Sequence, residues 1–453
     1  MKNTQGTSNQ FQVLASLMVV LLFSCAELHA QNPKLNKYTF AEGLTFSGNS
    51  DYSMNLRGYV QPFMEIKNST GNDVDDNLTR FRLRRFRLRL TGDAKKYKID
   101  YRFQVDLSGT GEVGDDQSTA PILDAWIRYS ITKRTRITFG QRATPTDNRE
   151  LYMGSHTLQL VERSRLTSAF ASIREFGVFI EGSYKLGSTA YIKPSLAVTN
   201  GDGLNAFDRD YGGLKYGGRL DFLPFGLFTR FGQFRQVDMV RENSPKLVIG
   251  ANYSLNQGMT SRRGRDGGRF VYINDENNNG QFDKGEGRLP DYTKYGIDFL
   301  FKYKGFSVLG EFVQSLASVA SDINLRSDAY GPDFSVFTSN FRGGAEEDYV
   351  RSQMMLGKAF NIQAGYIFKN LWSVDGRYTY IDAEEHSFLS NGTFYNRPEY
   401  YTVGVSKYFD RNYGMKIQGS FTYVDADGGI NDFSGNPIGG DEWIARIITS
   451  LAF

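Results

Sequence analysis

Apolar and polar residues alternate with a period of two along most of this chain. From Ile99 to Leu107 every odd position is apolar and every even position is polar, and a similar alternation returns at 294–303, 371–380 and 415–423. Because successive side chains on a strand point to opposite faces, each of these segments predicts a strand with one apolar and one charged face.

The alternating segments together predict a single closed sheet. There are about sixteen of them, each long enough to cross a bilayer at a tilt. They cover residues 54–66, 80–93, 97–108, 121–131, 135–142, 175–185, 189–199, 213–224, 246–255, 293–303, 306–315, 359–368, 371–381, 398–408, 414–424 and 442–453. Their connections alternate between short turns and long polar loops, which is typical of a bacterial outer-membrane barrel. The sequence therefore predicts an all-β fold, a transmembrane antiparallel β-barrel over residues 54–453, preceded by a lead-in at 31–53.

One connection breaks this alternation of lengths. Residues 225–245 lie where the pattern predicts a short turn, yet the segment between the two strands is long. The sequence does not indicate what this segment does.

Aromatic residues gather at the short turns. The pairs that flank three of these turns are Tyr303 and Phe306, Phe368 and Trp372, and Phe409 and Tyr413. Amphipathic rings favour the headgroup layer of a membrane, so these residues predict an interfacial girdle. The alternative, a soluble β-sandwich with one wet face, does not account for the girdle together with an export signal.

The N-terminus indicates export. Lys2 precedes an apolar stretch at 13–23, and Ala30 ends a segment that is typical of a signal-peptide cleavage site. We therefore expect residues 1–30 to be a signal peptide. The only cysteine is Cys25, so the exported protein would have no disulfide and no thiolate site. The residues around Cys25 leave a lipoprotein cleavage box open as the alternative.

Several short motifs resemble one known family. They are Arg84–Asp93, Leu123–Tyr129, Gly140–Gln141 with Pro145, Glu162–Ser164 and Arg174–Val178, and their order along the chain is that of the phosphate-selective porins O and P. The resemblance implies a sixteen-stranded, trimeric outer-membrane barrel of a Gram-negative bacterium. It also implies that the third long loop, 143–174 here, folds inward as a constriction. The chain departs from the family at Ala143, next to Arg142, where Lys-x-Pro usually follows the Gly-Gln pair.

Arginines on the predicted strands are candidates for lining the pore. If Phe86 and Leu88 face lipid, the alternation turns Arg85, Arg87 and Arg89 toward the lumen, where guanidinium groups can contact phosphate or carboxylate. The alternation slips at Arg84–Arg85, which predicts a bulge or the membrane edge there. The full set of candidates is Arg85, Arg87, Arg89, Arg102, Arg128, Arg142, Arg149, Arg163 and Arg165. The alternative is that these arginines pair with acids such as Asp100 and Asp106, or staple the constriction loop internally.

One loop carries a calcium-binding pattern. Asp275, Asn277, Asn279, Asp283 and Glu286 match positions 1, 3, 5, 9 and 12 of an EF-hand loop, with a glycine at position 6 and the carbonyl of Gln281 at position 7. Since the flanking segments are predicted strands, this would be a loop-borne Ca²⁺ site. The alternative is an ordinary acidic, solvated loop.

These patterns together predict a porin for passive diffusion of small hydrophilic solutes, with a preference for anions and phosphate as one candidate. The expected partners are small anionic solutes, outer-membrane lipid and two further copies of the chain. Net charge is only +3, which does not suggest nucleic-acid binding. Enzyme chemistry has little support, because His156 and His386 have no recognisable nucleophile beside them. The alternative function is a non-transporting barrel that binds partners through loops 256–292 and 316–358.

Overall fold

The structure is a computed structural model of the chain. It describes residues 34–47, 51–68, 77–108, 122–203, 212–259, 270–328, 335–336, 346–390, 397–425, 430–431, 437–438 and 441–453. The expected signal peptide at 1–30 and the alternative at Cys25 lie outside the described residues.

Strands make up most of the described chain. They are β1 Lys34–Thr39, β2 Gly43–Ser47, β3 Tyr52–Asn68, β4 Asn77–Ala94, β5 Ile99–Asp106, β6 Ile122–Ser130, β7 Thr135–Ala143, β8 Arg174–Gly182, β9 Tyr184–Leu186, β10 Ala190–Thr199, β11 Lys215–Leu223, β12 Lys246–Asn256, β13 Phe270–Ile273, β14 Asp291–Tyr303, β15 Phe306–Ser318, β16 Leu325–Asp328, β17 Ser335–Val336, β18 Gly357–Ile367, β19 Trp372–Ala383, β20 Glu399–Tyr408, β21 Met415–Asp425, β22 Ile430–Asn431, β23 Pro437–Ile438 and β24 Glu442–Ala452. The helices are α1 Arg149–Tyr152, α2 Arg165–Phe170 and α3 Glu346–Ser352, and short 3-10 turns lie at Lys95–Tyr97, Ser155–Thr157, Thr229–Phe234 and Phe388–Ser390.

Sixteen antiparallel strands close into a barrel, as the alternation predicts. Successive barrel strands pair from β3 to β24, with β8 and β9 forming one interrupted strand. Five short strands of this range, β13, β16, β17, β22 and β23, lie outside the barrel sheet. The last strand returns to the first, where Ala452 lies opposite Tyr59 and the backbones of Phe453 and Gly58 exchange two hydrogen bonds. All sixteen predicted segments are confirmed. The closed sheet leaves no free edge within the membrane, which a membrane-spanning strand requires.

The outer face of the barrel is apolar. Ile127, Ile297 and Val403 are 60%, 60% and 61% exposed, as expected of side chains that lie against lipid. Phe306, Phe368, Trp372 and Phe409 are also exposed beside the short turns, where the girdle is expected. Tyr413 departs from that prediction. It is buried because its ring packs inside the barrel end against Val237 and Met239.

The strand irregularity expected at Arg84–Arg85 is present as a bulge. Gln61 pairs with Arg85 and Pro62 pairs with Leu83, so Arg84 is the extra residue on β4. A bulge changes the side on which the next residue lies. Both Arg84 and Arg85 consequently point into the barrel.

Two connections fold into the barrel from opposite ends. The long loop between β7 and β8, residues 144–173, enters from the long-loop side and contains α1 and α2. We call it the constriction loop, as the resemblance implies. Residues 224–245, between β11 and β12, enter from the short-turn side, which is the periplasmic end in such barrels. We call this segment the periplasmic insert.

Short strands lie at both ends of the barrel. The hairpin β1–β2 continues the sheet beyond β24 by pairing with the start of β3. At the other end, β13, β16 and β17 form a separate three-stranded sheet above the barrel. No helix in the described part of the chain is long and apolar enough to cross a membrane.

Candidate functional site

The bulge on β4 holds the constriction loop in place. The Nε of Arg84 donates to Oε1 of Glu162 over 2.5 Å, and Nη2 of Arg85 donates to Oε2 of Glu162 over 2.9 Å. Arg85 also donates to Gln61. Burial alone would raise the pKa of Glu162, but the two guanidinium groups outweigh burial and hold the pKa well below its usual value. Arg84 and Arg85 therefore anchor the loop by a charge that persists into acid.

The next two arginines on β4 differ from each other. Arg87 donates to Asp106 over 2.6 Å and to Ser155 of the constriction loop over 3.3 Å. Arg89, by contrast, lies directly opposite Arg57 of β3. Among the residues that the structure describes, neither Arg57 nor Arg89 forms an ion pair with a carboxylate. Like charges directly across a strand pair are destabilising, so this pair is not there for stability.

A cavity lies beside this arginine pair, at the periplasmic end of the lumen. It is lined by Ala41, Arg57, Gly58, Tyr59, Arg87, Arg89, Gln104, His156 and Ala452. The Nε of Arg57 is buried and has no hydrogen-bond partner among the residues for which the structure gives positions. His156 belongs to the constriction loop and lies against the ring of Tyr59, with 4.8 Å between the ring centres. Its burial, and then the charge of Arg57, lower the pKa of His156 to about 3, so the imidazole adds no positive charge at neutral pH.

Arginines on β5 and β6 enclose a tryptophan. The guanidinium groups of Arg102 and Arg128 lie 5.1 Å and 4.5 Å from the centre of the Trp126 ring. Arg128 also lies 3.5 Å from Asp100 and 3.7 Å from Glu181. Stacking and these acids fix the arginines at the wall, with their side chains 34% and 16% exposed.

Arg142 closes this row on β7. It pairs with Glu181 of β8 and lies over the ring of Phe179, 5.3 Å from its centre. We call the lumen-facing sides of β3 to β8 the arginine sector. It contains six of the nine arginines that the sequence predicts: Arg85, Arg87, Arg89, Arg102, Arg128 and Arg142.

The remaining three predicted arginines belong to the constriction loop. Two of them form structural hydrogen bonds, and the third begins helix α2. Arg149 is fully buried and donates to Asp298 over 2.7 Å and to Asp221 over 2.8 Å. Arg163 donates to the carbonyl of Met153 within the loop. Arg165 is the first residue of α2. Arg149 therefore ties the loop to acids of the barrel wall, and Arg163 holds the loop internally through a backbone carbonyl.

The wall opposite the arginine sector is packed against the two inward segments. Lys294 of β14 donates to Asp147 of the constriction loop, and Lys302 donates to the periplasmic insert. The side chains of Lys294 and Asp298 are 1% exposed. We call this wall, the lumen-facing sides of β11 to β21, the filled sector. Little room remains there for a solute.

The predicted calcium loop has a compact shape. Asp275 accepts from the backbone N–H groups of Asn279 and Gly280, at 3.0 and 2.8 Å. The side-chain amides of Asn277 and Asn279 each donate to Asp283 over 2.8 Å and lower the pKa of its carboxyl. Gly280 has a φ of +69°, which permits the turn without strain.

Glu286 and Gln281 complete the description of that loop. Oε2 of Glu286 accepts from the N–H of Asp283, and Gln281 is exposed at the loop tip. Within the described part of the chain, no three or more carboxylate, imidazole or thiol side chains form a cluster that could hold a metal ion. A cation at 275–286 would therefore need amide and carbonyl oxygens as well as carboxylates.

Arg57 is a candidate pore residue that the sequence alone does not indicate. This residue stands alone among uncharged neighbours on β3, and only the register of β3 against β4 places it opposite Arg89. Alternation within the segment 97–108 shows which of its residues face the lumen, but no sequence signal pairs two strands residue by residue.

The two candidate histidines are far apart in the fold. His156 is in the lumen, and His386 lies near Asp348 in the extracellular loops.

Comparisons with known proteins agree with this architecture. Residues 55–239 match the family model described as phosphate-selective porin O and P, so the resemblance stated above is confirmed. A search of curated proteins found no match. Among solved structures, OprB of Pseudomonas putida is 10% identical and covers 89% of this chain and 94% of its own, with a TM-score of 0.51.

Two further solved structures are similar at lower TM-scores. The outer membrane channel DcaP of Acinetobacter baumannii is 10% identical, with 91% of this chain and 100% of its own covered and a TM-score of 0.46. OmpT of Vibrio cholerae is 8% identical, with 89% and 99% covered and a TM-score of 0.47. The family and fold are those of channels rather than enzymes, and the protein is a multi-pass β-barrel of the outer membrane.

Proposed function

From the premise that this chain is an outer-membrane porin, with residues 55–239 matching the phosphate-selective porins O and P, we propose that it prefers small anions. The pair Arg57 and Arg89 carries the proposal. Two cations opposite each other without an acid are destabilising in the empty pore, and a passing anion relieves that repulsion. Guanidinium groups also match the geometry of oxyanions. Phosphate is the oxyanion that the family name suggests.

The surroundings of the pair strengthen its field. Tyr59, Gln104 and His156 line the same cavity and bring no negative charge. Glu42 of the β1–β2 hairpin acts on Arg57 only at longer range. In a narrow lumen, fixed charges are screened less than on an open surface, and rings of charge set selectivity. The local excess of positive charge therefore favours anions.

Reversal potentials test this proposal. We expect purified wild-type protein in planar bilayers under a KCl gradient to show anion selectivity. The double variant Arg57→Gln/Arg89→Gln should lose most of it, because the uncompensated charges are gone. Arg134→Gln is the matched control, since Arg134 is exposed in the turn between β6 and β7 and should leave the potential unchanged. A cation-selective wild type would contradict the proposal.

Two outcomes of the same experiment decide finer points. Added phosphate should reduce the chloride current of the wild type and not that of the double variant, and the absence of any reduction would remove phosphate from the proposal. A correctly folded barrel that gives no channel steps would instead support a non-transporting role for the long loops. The homotrimer is part of the proposal and is tested by the mass of the detergent-solubilised assembly.

We also propose that residues 275–286 bind Ca²⁺ and order the extracellular loops. The supporting observation is that the loop is attached to the three-stranded sheet above the barrel. There the N–H of Asp275 donates to the side chain of Asn324, next to β16, over 2.8 Å. A bound divalent cation would offset the repulsion among Asp275, Asp283 and Glu286. Extracellular sites of this type bind in the range of about 10⁻⁴ to 10⁻³ M.

Calorimetry tests the calcium proposal. Wild-type protein should release or absorb heat on titration with CaCl₂, and Glu286→Ala and Asp275→Ala should abolish it, since each removes a carboxylate ligand. Glu276→Ala is the matched control because Glu276 is 71% exposed and lies between ligand positions. Wild-type protein that shows neither heat nor protection of the loop from protease would leave 275–286 as an ordinary acidic loop.

A further inference from the structure

Part of the periplasmic insert is buried inside the barrel, although the insert connects two neighbouring strands. A connection of this kind needs only a few residues, and elsewhere at this end of the barrel Lys304 and Gly305 suffice. Residues 236–239 of the insert are Gln, Val, Asp and Met, and all four are at most 2% exposed. The insert therefore occupies space that would otherwise be lumen.

Hydrogen bonds to backbone groups hold the insert against the filled sector. Nζ of Lys302 donates to the carbonyls of Gly232 and Val237, each over 2.9 Å. Asp238 accepts from the N–H of Gly305 over 2.7 Å. The hydroxyl of Tyr413 donates to the carbonyl of Val237 over 3.3 Å. These contacts come from three different turns or strands, so they fix both the position and the orientation of the insert.

Apolar contacts reinforce these hydrogen bonds. Val237 and Met239 pack with Ile367, Tyr408 and Tyr413 in one buried cluster. This is the cluster that draws Tyr413 away from the lipid girdle. The insert is therefore held in place by this apolar cluster as well as by its connections to β11 and β12.

The backbone of the insert also has a specific shape. Arg230, Phe231 and Arg241 have φ values of 50°, 57° and 53°. Residues with a Cβ adopt this region at a cost of roughly 1 kcal/mol or more, and they keep it only where surrounding contacts determine the conformation. The insert is thus a defined element and not a slack loop.

The insert meets the constriction loop in the middle of the lumen. Oε1 of Gln236 accepts from the backbone N–H of Gln159 over 2.6 Å and from Nε2 of Gln363 over 3.2 Å. Nε2 of Gln236 donates to Glu150 of the constriction loop over 2.9 Å. Gln363 also donates to the side chain of Gln159 over 3.0 Å. Three glutamines therefore join the insert, the constriction loop and the wall strand β18.

We infer that the periplasmic insert is a second, fixed constriction, which together with the constriction loop closes the filled sector and confines solutes to the arginine sector. The inference deepens the proposed function, because solutes that must pass along the arginines are discriminated by charge as well as by size. The solute class is small hydrophilic anions. A barrel of this size without the insert would offer a wider path with fewer contacts to arginine.

Shortening the connection tests the inference. Residues 225–245 are replaced by Asn-Gly, a sequence that favours a tight hairpin turn. We expect the single-channel conductance to rise about two-fold or more, larger sugars to enter proteoliposomes, and the anion preference to fall, because the filled sector opens. Phe231→Asn is the matched control. Phe231 is 73% exposed with positive φ, and Asn accepts that conformation.

A second variant keeps the chain length, in case the shortened barrel does not assemble. Val237→Asn/Met239→Asn removes the apolar anchor and should raise the conductance in the same direction. A folded, heat-modifiable barrel whose conductance and size limit match the wild type, in either variant, would overturn the inference. Conductance and size limit do not depend on the sign of the reversal potential, so failure of the anion proposal would be seen separately.

A cross-link establishes that the constriction is fixed. Cysteines replacing Gln159 and Gln236 are joined by a short thiol cross-linker, and the wild-type sequence has no cysteine after residue 25 that would interfere. Conductance should not change on cross-linking. A change would overturn the fixed constriction in favour of a moving gate.

Discussion

Arg149 and Arg89 both point into the barrel, but their surroundings differ. Arg149, on the part of the constriction loop that packs against the filled sector, is fully buried and divides its donors between Asp221 and Asp298, which Arg219 also contacts. Arg89, in the arginine sector, faces Arg57 and a cavity. One arginine is part of a neutralised buried network, and the other leaves a positive charge for something else to neutralise.

This difference shows that the number of arginines in a lumen does not measure its anion preference. A buried guanidinium held between two carboxylates contributes little to the field in the pore, because the charges nearly cancel over a few ångströms. An arginine opposite another arginine contributes fully. The filled sector therefore has a structural role, and under the proposed function the arginine sector sets the selectivity.

The largest effect is expected from removing the charge of Arg149. Arg149→Met should destabilise the barrel by about 3–5 kcal/mol, since it leaves Asp221 and Asp298 buried with fewer partners. The temperature at which the folded band is lost in unheated gels should fall. The double variant Arg149→Met/Asp298→Asn should recover part of that loss. If Arg149→Met changed the reversal potential with no loss of stability, Arg149 would belong to the filter.

Lowering the pH should reduce the stability of the contacts beside the arginine sector before it affects those beside the filled sector. His156, on the part of the constriction loop that faces the arginine sector, has its pKa lowered to about 3 by burial and then by Arg57. The unfolded chain binds a proton near pH 6.5 that the folded chain does not, so stability falls as the pH is lowered from about 6.5 toward 3. The slope is at most about 1.4 kcal/mol per pH unit for this one group.

Beside the filled sector the acid response comes later. Burial raises the pKa of Asp147 in the constriction loop, but Lys294, Lys215 and the N–H of Ser172 together outweigh burial and lower the pKa below its usual value. The stability that Asp147 contributes is therefore present above its usual pKa and is lost only in stronger acid. Melting temperatures in detergent between pH 7 and 5 should therefore decline in the wild type and stay flatter in His156→Gln. Parallel curves for the two proteins would contradict the assignment.

The sixteen strands were predictable because alternation with a period of two depends only on which face of each strand meets lipid. The bulge at Arg84 was predictable for the same reason, since an extra residue interrupts the alternation. These features are local. A single strand carries the signal, and the membrane enforces it on every strand.

The division of the lumen was not predictable, because it depends on contacts between distant segments. Nothing near Arg149 in sequence indicates that Asp221 and Asp298 will meet it. The length of residues 225–245 showed that the connection is unusual, but its inward course depends on contacts with Lys302 and Gln159. The inward position of Tyr413 follows from the same contacts and overrides the preference of its ring for the interface.

The smallest effect is expected within the arginine sector, where Arg89 and Arg128 differ in their partners. Arg128 is 3.5 Å from Asp100 and 3.7 Å from Glu181, and its guanidinium lies on the face of Trp126. Two carboxylates within about half a Debye length, ~4 Å, offset most of its charge. Arg128→Gln should therefore lower the anion preference by less than Arg89→Gln does. Reversal potentials of the two variants under the same KCl gradient give the ranking.

The acids near Arg128 supply the matched control. If pairing determines how much an arginine contributes, Glu181→Gln should raise the anion preference, because it exposes the charges of Arg128 and Arg142. Arg128→Gln/Glu181→Gln, which removes one charge of each sign, should lie close to the wild type. Equal losses of selectivity in Arg128→Gln and Arg89→Gln would mean that each arginine counts alike whatever its partner. The filled sector would then owe its small role in selectivity only to the lack of space for a solute, and not to its ion pairs.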